Sequence, residues 1–234
     1  LYGATDELFK NQLPDWGIET VTIDLNDPAA IRQQLASDKT IKLIYLESPS
    51  NPTLDCTDIR QVAEVAKDFD VKVAVDNTFA TPFLQRPLQL GADLVVHSTT
   101  KFLNGHGSAL GGVVVGQDST FIKKQVWERL KLLGANSNAF DGWLLLQGLK
   151  TLELRMLRHC ENARAVAQFL DNHGAVRKVN YPGLQAHSGH KVAKKQMDDF
   201  GAMLSFELKG GLDAGIKLMN SVKLCTLAAT LGTV

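Results

Sequence analysis

A single lysine, Lys101, stands among hydroxyls and glycines in HSTTKFLNGHG (97–107), directly after the apolar run DLVV. An ammonium group at the end of a buried strand is either a solvated loop lysine or an amine nucleophile. The polar residues around it favour the nucleophile. Glu47 follows IKLIYL, Asp76 follows VKVAV and Ser98 follows DLVVH, with Asn51, Asn77, Thr99 and Thr100 close behind. Ligands of open parallel sheets bind beyond the carboxyl ends of the strands, so these side chains are expected to converge on one rim. Each alone also suits a cap or a turn; their recurrence at successive strand ends points to a site.

An amine nucleophile must be uncharged at neutral pH, which burial or a neighbouring cation brings about. Such an amine condenses with an aldehyde. A carboxylate such as Asp76 favours the protonated form of a basic ring nitrogen. The hydroxyls of Ser98 and Thr100 can donate to phosphate oxygens. An aldehyde, a basic ring nitrogen and a phosphate together describe pyridoxal 5'-phosphate, whose protein signature is a Schiff-base lysine with a charged partner to the ring nitrogen. A different class stays open, a nucleotide-binding α/β module that holds phosphates on backbone N–H groups without covalent chemistry. GHGSALGG (105–112) is neither a P-loop nor a GxGxxG turn after a strand, and reads as a tight return beside Lys101.

Composition bounds the alternatives. The chain has 234 residues, 44% hydrophobic and 21% charged, with 25 basic and 25 acidic residues. That is globular composition with enough apolar mass for a core, and its zero net charge gives no reason to expect a nucleic-acid partner. Cys56, Cys160 and Cys225 match no CxxC pattern, so neither a disulfide framework nor a zinc site is suggested and a cytoplasmic setting is expected. His187 and His190 form HxxH but lack a third ligand at metal spacing. No apolar run reaches membrane-span length and no signal-peptide pattern is present, so no membrane partner is expected.

The elements that must carry these residues are short Val- and Ile-rich runs: VTIDL (21–25), IKLIYLE (41–47), VKVAVD (71–76), DLVVHS (93–98) and GGVVVG (111–116). Nearly continuous apolar runs read as parallel strands covered on both faces. In DCTDIRQVAEVAKDF, Ile59, Val62, Ala63, Ala66 and Phe69 recur at helical spacing, with Asp55 or Thr57 as cap. Strand, helix, strand points to an α/β architecture. Further on, the pattern predicts a helix over 119–133 and a long helix from Trp143 to Asn172 that breaks near Gly148 and stops at Gly174. A strand at VRKVN, a half-buried antiparallel strand over 201–208, a helix over 213–220 and a last strand at VKLCTLA follow. The domains divide near residue 151, into 1–150 and 151–234. His97 reads as a satisfied core histidine, Trp127, Trp143 and Leu144–Leu146 as core or subunit contact, and KVAKK (191–195) as a solvated helix face.

The segments LESPSNPTLD, VAVDNTFATPFLQRPLQLGADLVVHSTTKFLNGHG and LQGLKTLELRM resemble the Cys/Met-metabolism family of pyridoxal-phosphate enzymes. This trans-sulfuration group includes methionine γ-lyase, cystathionine γ-lyase, cystathionine γ-synthase and O-acetylhomoserine sulfhydrylase. The resemblance runs from LYG to LCTLAATLG, essentially the whole chain. It implies a fold-type I transferase, with a mostly parallel sheet flanked by helices and a smaller α+β C-terminal domain, assembled as a homotetramer. It implies that Lys101 forms the Schiff base and shuttles protons, and that Asp76 partners the pyridine nitrogen. Tyr2 stacks on the cofactor ring and protonates the leaving group, while Ser98 and Thr100 serve the phosphate or position the lysine. Asn51 lies near the cofactor 3′-oxygen on a loop supported by Glu47, and Thr230 stands near the substrate carboxylate where the family usually has serine. Glu7 and Ala229 occupy places where cystathionine-preferring members carry an arginine and a glutamate, which leans toward γ-elimination of methionine; Ala4 replaces a cysteine common in methionine γ-lyases. By the same resemblance the glycine-rich phosphate cup lies upstream of LYG and the carboxylate-binding arginine downstream of Val234, so the chain is expected to be an internal part of a longer one.

Overall fold

The computed structural model describes residues 1–233. Helices and strands alternate as far as β3. Helix α1 (Gly3–Glu7) continues into a π-helical turn (Leu8–Gln12); α2 (Pro28–Ser37) precedes β1 (Leu43–Glu47), α3 (Ile59–Lys67) precedes β2 (Lys72–Asp76), and α4 (Thr81–Leu84) precedes β3 (Leu94–Ser98) and β4 (Gly112–Gly116). Then come α5 (Ser119–Phe121), a π-helical stretch (Ile122–Trp127), α6 (Glu128–Leu133), α7 (Ala139–Leu149) and α8 (Leu152–Asp171). The last elements are β5 (Val176–Asn180), α9 (His190–Gln196), β6 (Ser205–Leu208) and α10 (Gly211–Met219).

The main sheet has the order β1-β2-β3-β4. β1 and β3 flank β2 in parallel, with Glu47 opposite Asp76 and Asp76 opposite Val96. The apolar alternation explains which face is which: Ile44 and Leu46 of β1 and Val73 and Val75 of β2 join Ile31 and Leu35 of α2 and Ile59, Val62, Val65 and Ala66 of α3 in one core. The polar positions Tyr45, Glu47 and Asp76 are thereby turned to the opposite face. α3 starts at Asp58, whose carboxylate accepts from the Gln61 N–H at 3.2 Å; it, and neither Asp55 nor Thr57, is the cap.

Three expectations change. VTIDL (21–25) is irregular, because its Ile23 and Leu25 are spent packing on the α2–α3 core and not in a ladder. β4 runs antiparallel to β3, with Val96 opposite Val114; the 99–111 connection is a glycine-rich return without the crossover helix that parallel pairing requires. The long helix does break close to Gly148, at Lys150–Thr151 between α7 and α8. VKLCTLA forms no strand: Leu224 is 97% exposed, and the second sheet pairs β5 with β6 alone among the described residues.

A second core joins the lysine segment to the helices beyond it, packing Phe102 and Leu103 with Leu84, Leu152, Met156, Cys160, Ala193 and Met197. Trp127 and Trp143 are 55% and 53% exposed, so of the two readings offered for them the core one fails. None of the described helices is long and apolar enough to cross a membrane. Ile31 is fully buried on α2, away from the polar rim. Ile31→Ala should lower stability by about 2–5 kcal/mol through lost transfer energy and the cavity left behind, read as a lower thermal midpoint.

Candidate active site

The carboxyl ends of β1, β2 and β3 finish on a common rim because the parallel register puts Glu47 beside Asp76 and Asp76 beside Val96. Ser98 lies two residues beyond Val96 and so returns to the same face. Asp76 is held firmly. Its Oδ1 accepts from the Thr78 backbone N–H at 2.9 Å and from Thr78 Oγ1 at 2.5 Å, and its Oδ2 accepts from the Tyr45 hydroxyl at 3.2 Å. Thr78 Oγ1 in turn accepts from the Ser98 N–H at 2.8 Å, so one threonine bridges the ends of β2 and β3. Burial and the Asp76 charge hold the Tyr45 phenol protonated well above the ordinary tyrosine range, which keeps it a donor to that carboxylate.

Lys101 follows β3 in a turn anchored at both sides. Thr99 N–H donates to the Gly111 carbonyl at 2.9 Å, and Gly105 N–H donates to the Lys101 carbonyl at 2.8 Å. The Thr100 hydroxyl accepts from Gly111 N–H at 3.0 Å and donates to Gly111 O at 3.3 Å, so it fastens the return to β4. Lys101 Nζ donates to Thr230 Oγ1 at 3.3 Å. No carboxylate lies within ion-pair distance of that ammonium among the described residues.

Glu47 accepts the Tyr2 backbone N–H at 2.7 Å, bringing Tyr2 to the same rim with its side chain exposed. Burial raises the Glu47 carboxyl above its usual range, against the Tyr2 and Asn51 N–H groups that favour its charge. Asn51 sits in the loop after β1, whose shape is set by Ser50 N–H to Asp55 O and Leu54 N–H to Ser50 O, both 2.9 Å. Behind that loop lies a buried polar cluster. Gln85 Nε2 donates to Ser48 O at 2.7 Å and to Asn77 Oδ1 at 2.8 Å; Gln196 Nε2 donates to Gln85 Oε1 and Thr57 O, both at 3.0 Å. Ser48, Asn77 and Gln85 have no exposed surface.

The residues singled out from the sequence thus gather at one place: Glu47, Asn51, Asp76, Ser98, Thr100 and Lys101 at the strand ends, Tyr2 on Glu47 and Thr230 on Lys101. Sequence reasoning missed Tyr45, Thr78, Gln85 and Gln196. Tyr45 was findable, since it is two residues before Glu47 on the same strand and shares its face. His97 is buried, but its Nδ1 has no partner among the described residues, so the expected satisfied histidine is not fully satisfied. Burial lowers its basicity despite the Asp76 charge. His187 is occupied structurally, its Nε2 on Thr53 O at 3.1 Å and its Nδ1 accepting from Gly189 N–H at 3.1 Å.

This donor set fits a phosphorylated pyridine aldehyde. Among the described residues no carboxylate competes for the lysine, and Asp76 Oδ2 takes one long bond, which leaves acceptor capacity for a ring N–H. The Thr78 hydroxyl is the acceptor of the Ser98 N–H and one of three donors to Asp76, so Thr78→Val should cost about 1–3 kcal/mol of stability. A thermal midpoint unchanged in that variant would deny the bridge its importance.

Known proteins resemble this chain along its whole length. The profile of the family described as "Cys/Met metabolism PLP-dependent enzyme" matches residues 1–234. The chain is 45% identical over 233 residues to L-methionine gamma-lyase of Fusobacterium nucleatum, covering 99% of this chain and 58% of that protein. It is 44% identical over 235 residues to cystathionine beta-lyase of Coxiella burnetii, covering 100% and 60%. Among solved structures, metB from Corynebacterium glutamicum superposes with a TM-score of 0.96 at 43% identity, covering 100% of this chain and 60% of that one. Cystathionine gamma synthase from Xanthomonas oryzae pv. oryzae, in complex with aminoacrylate and cysteine, gives 0.94 at 44%, covering 100% and 59%. The chain therefore spans about three fifths of the length of these relatives. With its whole length matched, and with the lysine, carboxylate and hydroxyls meeting at one rim, the chain belongs to the Cys/Met metabolism family of PLP-dependent enzymes.

Proposed function

We propose that the protein containing this chain eliminates the γ-substituent of a sulfur amino acid, converting methionine and water to methanethiol, 2-oxobutanoate and ammonia. The observation that carries this reading is the linked set at the rim, with Lys101 free of a carboxylate and Asp76 locked by Thr78 and Tyr45 with acceptor capacity to spare. Similarity to L-methionine gamma-lyases supports the choice of substrate. So do Glu7 and Ala229, which stand where resemblance to cystathionine-preferring members calls for an arginine and a glutamate.

When bound, pyridoxal phosphate supplies an aldehyde for amines and a ring that withdraws electrons from the substrate α-carbon. Lys101 Nζ would hold the aldehyde, and Asp76 Oδ2 would accept the ring N–H. Asn51 and Ser98 flank the same space, and Thr100 positions the lysine through Gly111. With substrate bound, Lys101 Nζ would take the α-proton and then a β-proton, which lets the γ-substituent leave. Tyr2 protonates the departing sulfur. Thr230 Oγ1, in contact with Lys101 Nζ, orients either that amine or the substrate carboxylate.

A second reading is γ-replacement, in which an incoming thiol completes the reaction; the fold match to cystathionine gamma synthase favours it. We place the domain boundary near residue 151, between α7 and α8. A cytoplasmic homotetramer is the assembly we infer, with exposed Trp127 and Trp143 as candidates for subunit contact.

Assay of the full-length protein against methionine, cystathionine, and O-acetylhomoserine with sulfide separates these reactions. Release of methanethiol from methionine supports elimination, and formation of homocysteine from O-acetylhomoserine and sulfide without it moves the protein to replacement. Lys101→Ala should lower turnover by at least about 10²-fold and abolish borohydride fixation of the cofactor. Fixation at any other residue overturns the site.

A further inference from the structure

Arg155 of α8 is only 8% exposed, yet no carboxylate pairs with it among the described residues. Each of its three nitrogens donates to an oxygen acceptor. Nη1 donates to Phe102 O at 2.8 Å, Nη2 to Gly148 O at 2.7 Å and Nε to Thr151 Oγ1 at 3.0 Å. Phe102 is the residue after Lys101, and Gly148 is in the last turn of α7. A buried cation without a counter-ion is costly, so its retention calls for a return. Cation donors on the final carbonyls of a helix are favourable, which accounts for the Gly148 contact. They do not account for the Phe102 contact.

Two glycines make room for this clamp. A Cβ at Gly105, which has a φ of +70°, would lie 2.1 Å from Arg155 Nη1. A Cβ at Gly148 would lie 2.2 Å from the Asn104 carbonyl. The lysine turn, the end of α7 and the guanidinium are thus in contact without a side chain between them. On the sheet side the same turn is fixed by Thr99, Thr100 and Gly111.

We propose that Arg155 is a positioning residue for Lys101. Its planar fork ties the Phe102 carbonyl to the α7–α8 corner, so the lysine backbone is gripped from the side opposite the sheet. Rotation of the turn would carry Nζ off the rim, and the three-point geometry prevents it. A lysine at this position reaches one carbonyl and cannot span both. The inference rests on Lys101 being the reacting amine.

The test uses the full-length holoenzyme with Arg155→Met, Arg155→Lys and, as a matched destabilised control, Ile31→Ala. In Arg155→Met the cofactor should still be fixed at Lys101 by borohydride. Its kcat should fall about 10²-fold from misplacement of the amine, with KM nearly unchanged, and amide exchange in the 99–108 peptide should quicken. Arg155→Lys should recover part of kcat. Ile31→Ala should lose thermal stability and keep kcat per folded enzyme. The proposal fails if Arg155→Met keeps wild-type kcat, or if Ile31→Ala loses as much kcat at an equal fall in melting temperature. If Arg155→Met does not fold, Arg155→Lys decides on the same comparison, a wild-type kcat and exchange rate overturning the proposal. Absence of Lys101 labelling in the wild type would instead overturn the reading of the lysine itself.

Discussion

In-register pairing of β1, β2 and β3 is the constraint on which the site depends. Side chains alternate along a strand, so a slip of one residue would exchange the faces of Asp76 and Val75. The carboxylate would enter the apolar core of α2 and α3, and a valine would face the rim. Burying an unpaired carboxylate there is prohibitive. The core that stabilises the sheet therefore also fixes which oxygen-bearing side chains point outward, and the Thr78 bridge locks that choice at the ends of β2 and β3. Stability and site geometry share one cause.

Behind the rim, two polar clusters hold the loops that strand register cannot reach. Ser48, Asn77, Gln85 and Gln196 connect the loops after β1 and β2 to α9 through amides that both donate and accept. Arg155 connects the loop after β3 to the corner between α7 and α8. Both draw on residues more than a hundred or about fifty positions away from the loops they serve. In a low-dielectric interior such networks are worth having only when every member is satisfied, and the mutual satisfaction of these amides leaves the loops a single arrangement.

The strands of the main sheet were legible in the sequence because Val and Ile runs with polar termini leave few other readings. The site at their carboxyl ends followed from the same pattern, and the long DNTFATP and STTK segments carried the family resemblance. Direction was not legible where local pattern is silent: GGVVVG looks the same in a parallel or an antiparallel pair, and the short return before it decided the matter. VTIDL and VKLCTLA misled because β-propensity describes a residue's fit to a pleated surface, and neither run has a neighbouring strand to form one. Gln85, Gln196 and Arg155 were opaque for another reason. A buried glutamine or arginine is recognisable only by its partners, and those partners lie far away in the chain.

The return that joins β3 to β4 is sewn at both ends, by Thr99 and Thr100 to Gly111 on one flank and by Gly105 on Lys101 O near the apex. Surface connections normally absorb added or deleted residues with little penalty. Here an extra residue between 99 and 111 would unstitch the pairing or push the amine out of reach. Natural length variation in relatives of this chain should thus avoid this return and collect in places such as the exposed loop at Ala135–Ser137.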